Sequence, residues 1–133
     1  RIDVHSWAGI EVYPWKFKTL GIDIGLAPLH NDLFNTCKSE IKWCEYSALG
    51  ISTIASNVPP YSLNIEHEKT GLLAKDSAEW VEYLDDLILH KEYREKIGRQ
   101  AREAIVRDYD ICKNIEQYTD AIKSLYRPEL VVV

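Results

Sequence analysis

Hydrophobic and polar positions change period several times along this chain, and each change marks an element. Ile2, Val4 and Ser6 alternate with Asp3, His5 and Trp7, which predicts a strand from Ile2 to Trp7, with Gly9 as a turn residue after it. Between Val12 and Leu20 the apolar residues Val12, Trp15, Phe17 and Leu20 are interleaved with Lys16 and Lys18. Pro14 is tolerated in a first helical turn, so a short helix is predicted there. The run Gly21 to Leu29 is mostly apolar and closes at Pro28-Leu29, which suits a strand buried on both faces of a parallel sheet. His30 to Thr36 is polar and turn-rich. Cys37, Ile41, Cys44 and Ala48 then recur at helical spacing. They predict a helix from about Cys37 to Leu49 with that stripe toward the core and Gly50 as its C-terminal stop.

Ile51 to Ala55 is predicted as the next strand, and Ser56 to Tyr61, with Pro59-Pro60, as a loop. Lys69 to Ala74 reads as a turn and a short strand. Asp76 can cap a helix whose third residue is Glu79 and whose apolar stripe is Trp80, Tyr83, Leu84, Leu87 and Ile88. Two further helices are predicted, from Lys91 to Tyr109 and from Asp110 to about Tyr126, ahead of a tail from Arg127 to Val133. Strands alternating with helices imply βαβ units. The expected fold is α/β: a Rossmann-like parallel sheet of about four strands with a helical C-terminal part, in one domain over residues 1–133. With so few strands the sheet should keep an open edge, and self-association or an exposed apolar patch around Trp7 or Trp15 is expected.

Composition narrows the function classes. The 133 residues are 46% hydrophobic and 28% charged, as in ordinary soluble domains, and the net charge of -5 argues against a partner of duplex nucleic acid. No apolar run approaches the roughly 20 residues that span a bilayer. Asp3 and His5 interrupt the apolar stretch that a signal peptide would need. Cys37, Cys44 and Cys112 are odd in number and lack CxxC spacing, so reduced thiols in cytoplasm are expected, with no metal site.

The stretch that could carry chemistry runs from Asn35 to Gly50. On a continuous helix Lys38, Lys42, Glu45 and Leu49 share one face, just past the carboxyl end of a strand, where open α/β sheets bind ligands. Free backbone N–H groups near Cys37, Lys38 and Ser39 would hold a phosphate, Lys38 and Lys42 would add charge, and Glu45 would accept from a ribose diol. The bland alternative is a solvated helix side with a Lys42–Glu45 pair worth about 0.3–0.5 kcal/mol. The stretch lacks the Gly-rich fingerprint of a dinucleotide or P-loop site. Elsewhere, His5 and His30 have no partner visible in sequence and read as structural. Asp32 and Glu40 are separated by a loop and cannot be placed as a carboxylate pair. Tyr61 reads as a loop anchor, and Trp7, Trp15 and Trp43 as core or interface.

Several ordered motifs resemble the C-terminal domain of group 1 (family 4) glycosyltransferases of the GT-B fold, over Ile22 to Asp76. They are Ala27-Pro28, then Cys44-Glu45-Tyr46-Ser47-Ala48-Leu49-Gly50, then Ile51-Ser52-Thr53-Ile54-Ala55-Ser56, Thr70-Gly71-Leu72-Leu73, and Asp76 to Trp80. The block of Phe34-Asn35, Lys38-Ser39, Lys42 and Glu45-Tyr46 resembles a subgroup acting in bacterial surface-polysaccharide assembly. The resemblance implies that Glu45 is the second glutamate of the family's pair and binds the donor ribose. The first glutamate falls on Cys37, which leaves Lys38, Ser39 and Asn35 as candidates for that part of the site. Thr70 and Gly71 match positions that shape the pocket floor.

Three expectations follow from the resemblance. The substrate is a nucleotide-diphosphate sugar, with no cofactor, no metal and catalytic residues unknown. Transfer to a glycan or polysaccharide acceptor is metal-independent and retaining. It takes place in the cytoplasm, with the intact enzyme peripheral to the inner face of the membrane. The chain resembles about the last third of such an enzyme. Its expected partners are therefore the missing N-terminal acceptor domain or another copy of itself, and the isolated chain is expected to be inactive. The rival is a non-catalytic interaction or regulatory module of the same ancestry.

Overall fold

The computed structural model describes residues 2–125. In chain order its elements are α1 (Tyr13–Thr19), β1 (Ile24–Ala27), α2 (Leu33–Thr36), α3 (Ile41–Ala48) and β2 (Ser52–Ser56). There follow α4 (Tyr61–Asn64), β3 (Leu72–Ala74), α5 (Ser77–Leu89), α6 (Lys91–Asp108) and α7 (Ile111–Leu125). The three strands form one parallel sheet in the order β1-β2-β3, with Ala27 beside Ala55 and Ser56 beside Ala74. All five residues of β2 are buried, which is why Ile51 to Ser56 shows no polar alternation.

Side chains alternate across the sheet and build two cores. Trp43 of α3 and Tyr61 of α4 pack with Ala27, Ala55 and Leu73. Leu87 of α5 and Ile97 of α6 pack with Ile54, Leu72 and Ala74. Asp76 caps α5 by accepting from the N–H groups of Ala78 and Glu79 at 2.9 and 3.0 Å. Glu79 reaches back one residue further than a reciprocal box requires and accepts from Lys75 N–H at 2.8 Å. Gly50 ends α3 with a positive φ of 74°, the left-handed conformation glycine adopts without cost.

Three sequence expectations change. Residues Ile2 to Trp7 form no strand, and Ile2, Val4 and Trp7 are each about 90% exposed. A strand requires a neighbour to close its hydrogen bonds and a face to bury, and this segment has neither. The sheet accordingly has three strands rather than four among the described residues. The helix expected from Cys37 starts later: residues 37–40 form a connection after the single turn of α2, which Asp32 caps, and α3 starts only at Ile41. Its phase also differs, because the buried residues are Trp43 and Ser47, while Ile41, Ala48 and Cys37 are exposed. Burying the large indole sets the phase, and its Nε1–H is satisfied by the Thr70 carbonyl at 2.9 Å.

The periphery is less covered. Trp7 and Trp15 are exposed, as expected of an apolar patch. In α7, Ile111, Ile115, Tyr118, Ile122 and Leu125 recur along one stripe, and no residue of the helix is buried. The expected end of that helix at Tyr126, and the tail beyond it, lie outside the described residues.

Candidate functional site

In a parallel sheet the strand carboxyl ends leave a crevice where consecutive loops part. Here Pro28 to Asn31, Ser56 to Val58 and Ala74 to Ser77 meet there around a cleft of about 570 Å³. Trp80 of α5 forms one wall. Two hydrogen bonds set the loops: Leu29 N–H donates to Ser56 Oγ at 2.9 Å, and Asn57 N–H donates to the Ala74 carbonyl at 2.8 Å. Sequence reading missed this group. The signal was present in the polar pairs Ser56-Asn57 and Lys75-Asp76, at the carboxyl ends of buried strands.

None of the five residues singled out from sequence lines that cleft. Asn35 is buried against Asp32, donating to its carboxylate from both the backbone N–H (2.8 Å) and the side-chain amide (2.7 Å). It therefore braces α2. Lys38 lies outside α3, its ammonium 4.6 Å from the centre of the Phe34 ring. Ser39 is exposed in the connection to α3. The expected helix-start amides at Cys37 to Ser39 are thus replaced by those at Ile41 to Trp43. No side chain caps α3, and its first internal bond runs from Cys44 N–H to the Glu40 carbonyl.

Lys42 and Glu45 do come together. Lys42 Nζ donates to Glu45 Oε2 at 2.8 Å, and the carboxylate stays about one quarter exposed. The hydrogen bond from Lys42 to Glu45 raises the Lys42 pKa, so the ammonium stays charged. An ammonium has three N–H donors, so Lys42 can hold Glu45 and still meet an anion. The same Glu45 oxygen accepts from the hydroxyl of Tyr13 at 3.1 Å. Tyr13 sits on α1, 32 residues away, and no local pattern in sequence links it to Glu45.

The remaining candidates have structural partners. Glu40 accepts from the Tyr109 hydroxyl at 2.6 Å, and burial together with Glu40 raises the Tyr109 pKa. Asp32 is the α2 cap, so Asp32 and Glu40 do not form a carboxylate pair. Thr70 is buried, and its hydroxyl accepts from Glu66 N–H at 2.9 Å, closing the turn before β3. Gly71 is enclosed by Ile65 and the Thr53 carbonyl. Tyr61 is a buried anchor. His5 and His30 are exposed, and His30 lies on the rim of the cleft. All three cysteines are free, and burial pushes the Cys44 thiol up to about 11.

α3 thus carries an accessible Lys–Glu pair, and a separate cleft lies at the strand ends. Residues 41–104, from the start of α3 into α6, match the family described as Glycosyl transferases group 1. The chain is similar to the trehalose synthase of Thermococcus litoralis, 31% identical over 91 residues, which cover 68% of this chain and 21% of that protein. The trehalose synthase of Pyrococcus horikoshii is 32% identical over 76 residues, 57% of this chain and 18% of that protein. The chain thus spans about a fifth of the length of these relatives. Its fold is similar to the C-terminal domain of a glycosyl transferase group 1 family protein (LpcC) from Francisella tularensis. The TM-score is 0.65 and the identity 22%, over 81% of this chain and 53% of that one. This is the α/β fold of a GT-B C-terminal domain. Among the described residues no helix is long and apolar enough to cross a membrane.

Proposed function

We propose that this chain is the donor-binding part of a glycosyltransferase and takes a nucleotide-diphosphate sugar. One observation carries the reading: the group 1 match begins on α3, the helix that presents Lys42 and Glu45 between β1 and β2. The diphosphate would lie at the uncapped start of α3, against backbone N–H groups and Lys42, with Lys38 reaching it from the preceding connection. Glu45 would accept from ribose hydroxyls, and the sugar would extend toward the cleft at the strand ends. Charge held by fixed donors also stabilises a departing diphosphate, which suits transfer without a metal. The acceptor, a glycan or polysaccharide, would be bound by parts of the enzyme beyond this chain, working at the cytoplasmic face of a membrane.

Calorimetric titration with nucleoside diphosphates tests this. Glu45→Gln keeps the shape of the side chain and removes its charge, and should weaken binding by about 1–3 kcal/mol. Lys42→Ala should weaken it and reduce its salt dependence. A parent chain that binds no nucleoside diphosphate would overturn the reading. It would favour the non-catalytic interaction module, for which the exposed Trp7, Trp15 and α7 stripe offer surface.

A further inference from the structure

The cleft at the strand ends is walled by three loops whose backbones are pinned to one another, through Leu29 N–H to Ser56 Oγ and Asn57 N–H to the Ala74 carbonyl. Its volume of about 570 Å³ admits a small organic molecule. Trp80 packs against the core of Ile54, Leu72, Leu87 and Ile97 and also lines the cleft. An indole anchored in this way is a fixed apolar platform. Asn31 and Asn57 line the same cleft from two different loops. Among the described residues their side-chain amides have no hydrogen-bond partner. Each amide can both donate and accept.

The formal charges of the lining are already engaged. Asp76 Oδ1 accepts from the N–H groups of Ala78 and Glu79, so the start of α5 is closed to an anion. Lys75 Nζ faces the Glu79 carboxylate at 3.7 Å. We propose that this cleft is a carbohydrate subsite that takes an uncharged hexopyranose ring, with its C–H face on Trp80 and its hydroxyls on Asn31 and Asn57. A pyranose has an apolar C–H face and a rim of hydroxyls that donate and accept, so both halves of the lining are used. The inference rests on the carbohydrate chemistry of the proposed function, but not on Glu45 or on a nucleotide. The ring belongs either to the donor or to the glycan that receives it, and the chemistry of the lining is the same for both.

The test is NMR titration of the whole chain with the methyl glycosides of glucose, galactose and mannose, and with methyl glucuronide as the charged counterpart. At least one hexoside should move the Trp80 indole N–H signal, identified by its loss in Trp80→Leu, and leave that of Trp43 in place. The glucuronide should bind about tenfold more weakly than the glucoside, because the Asp76 carboxylate repels it. Asn57→Ala spares the backbone bonds of its loop and should weaken the hexoside about three- to tenfold with the thermal midpoint unchanged. A nucleoside diphosphate hexose that moves the Trp80 signal at far lower concentration than the hexoside assigns the ring to the donor. A methyl disaccharide that binds more tightly than the monosaccharide assigns it to the acceptor, and either result supports the subsite. The proposal is overturned if neither hexosides nor nucleotide sugars move the Trp80 signal, or if glucuronide binds as well as glucoside. It also falls if free adenine or uracil moves the signal as strongly, or if Asn31→Ala and Asn57→Ala both leave affinity unchanged. Failure of the donor reading looks different: hexosides then bind at Trp80 while no nucleoside diphosphate binds the chain.

Discussion

Helices α6 and α7 are consecutive and of similar length, and both carry an apolar stripe, yet they end in opposite conditions. α6 buries Ile97, Gly98, Ala101 and Ala104, whereas α7 buries nothing. The stripe of α7 is the bulkier of the two, with three isoleucines, a tyrosine and a leucine. Three of the four buried α6 residues are small, and Gly98 meets the end of α3 at close range. A Cβ on Gly98 would lie 2.1 Å from the carbonyl oxygen of Gly50. Apolar periodicity therefore measures what a helix can bury, and the presence of a partner decides what it does bury. Close approach, and not apolar bulk, makes the α3–α6 contact.

The largest expected effect lies in that inner region. Trp43→Ala removes a side chain that is 2% exposed and orphans the Thr70 carbonyl, and should cost about 3–5 kcal/mol in urea unfolding. A loss below 1 kcal/mol would mean that the inner core is no tighter than the periphery. Gly98→Ala should follow at about 1–3 kcal/mol, because the new methyl meets fixed backbone and α6 must move away. Asp76→Ala removes the α5 cap and should lower stability by about 1 kcal/mol, read from the thermal midpoint.

Smaller effects are expected outside. Ile115→Ser on α7 and Trp15→Ser on α1 replace exposed side chains and should change unfolding free energy by less than about 0.5 kcal/mol. If these surfaces join copies of the chain, light scattering should show the association weakened by the same substitutions. Thiol labelling separates the regions chemically. At pH 8 the exposed Cys37 and Cys112 should react first, while Cys44, with its pKa raised to about 11 by burial, should stay protonated and slow until unfolding. A Cys44 that labels as fast as Cys37 would show that the α3 face opens readily.

Much of the inner region was legible in the chain. The buried run of β2, the Asp76 cap, the Gly50 stop and the order of strands and helices follow from residue types whose local preferences agree with their final surroundings. The candidate site was legible only in part. Lys42 and Glu45 lie within one turn of each other, so their pairing needs only a helix. Lys38 and Ser39 were extrapolated onto the same helix from the recurrence of Cys37 and Ile41. In the structure residues 37–40 form a connection between the Asp32-capped turn and α3, so neither side chain lies on that helix.

By itself, then, the sequence determined an α/β domain, a helix bearing a lysine and a carboxylate after the first sheet strand, and a group 1 glycosyl transferase pattern. These depend on period, turn chemistry and neighbours a few residues apart. Only the tertiary structure decided the rest. Ile2 to Trp7 alternates like a strand, but a strand exists only where another backbone completes its hydrogen bonds. Trp43 faces the core, and of the cysteine stripe only Cys44 packs against it in part, because burying the largest ring outweighs a regular pattern of small side chains. Tyr13 reaches Glu45 across 32 residues through a ladder of rings that ends on Gly25. Spacing along a chain carries no trace of such a contact, since packing alone brings its members together.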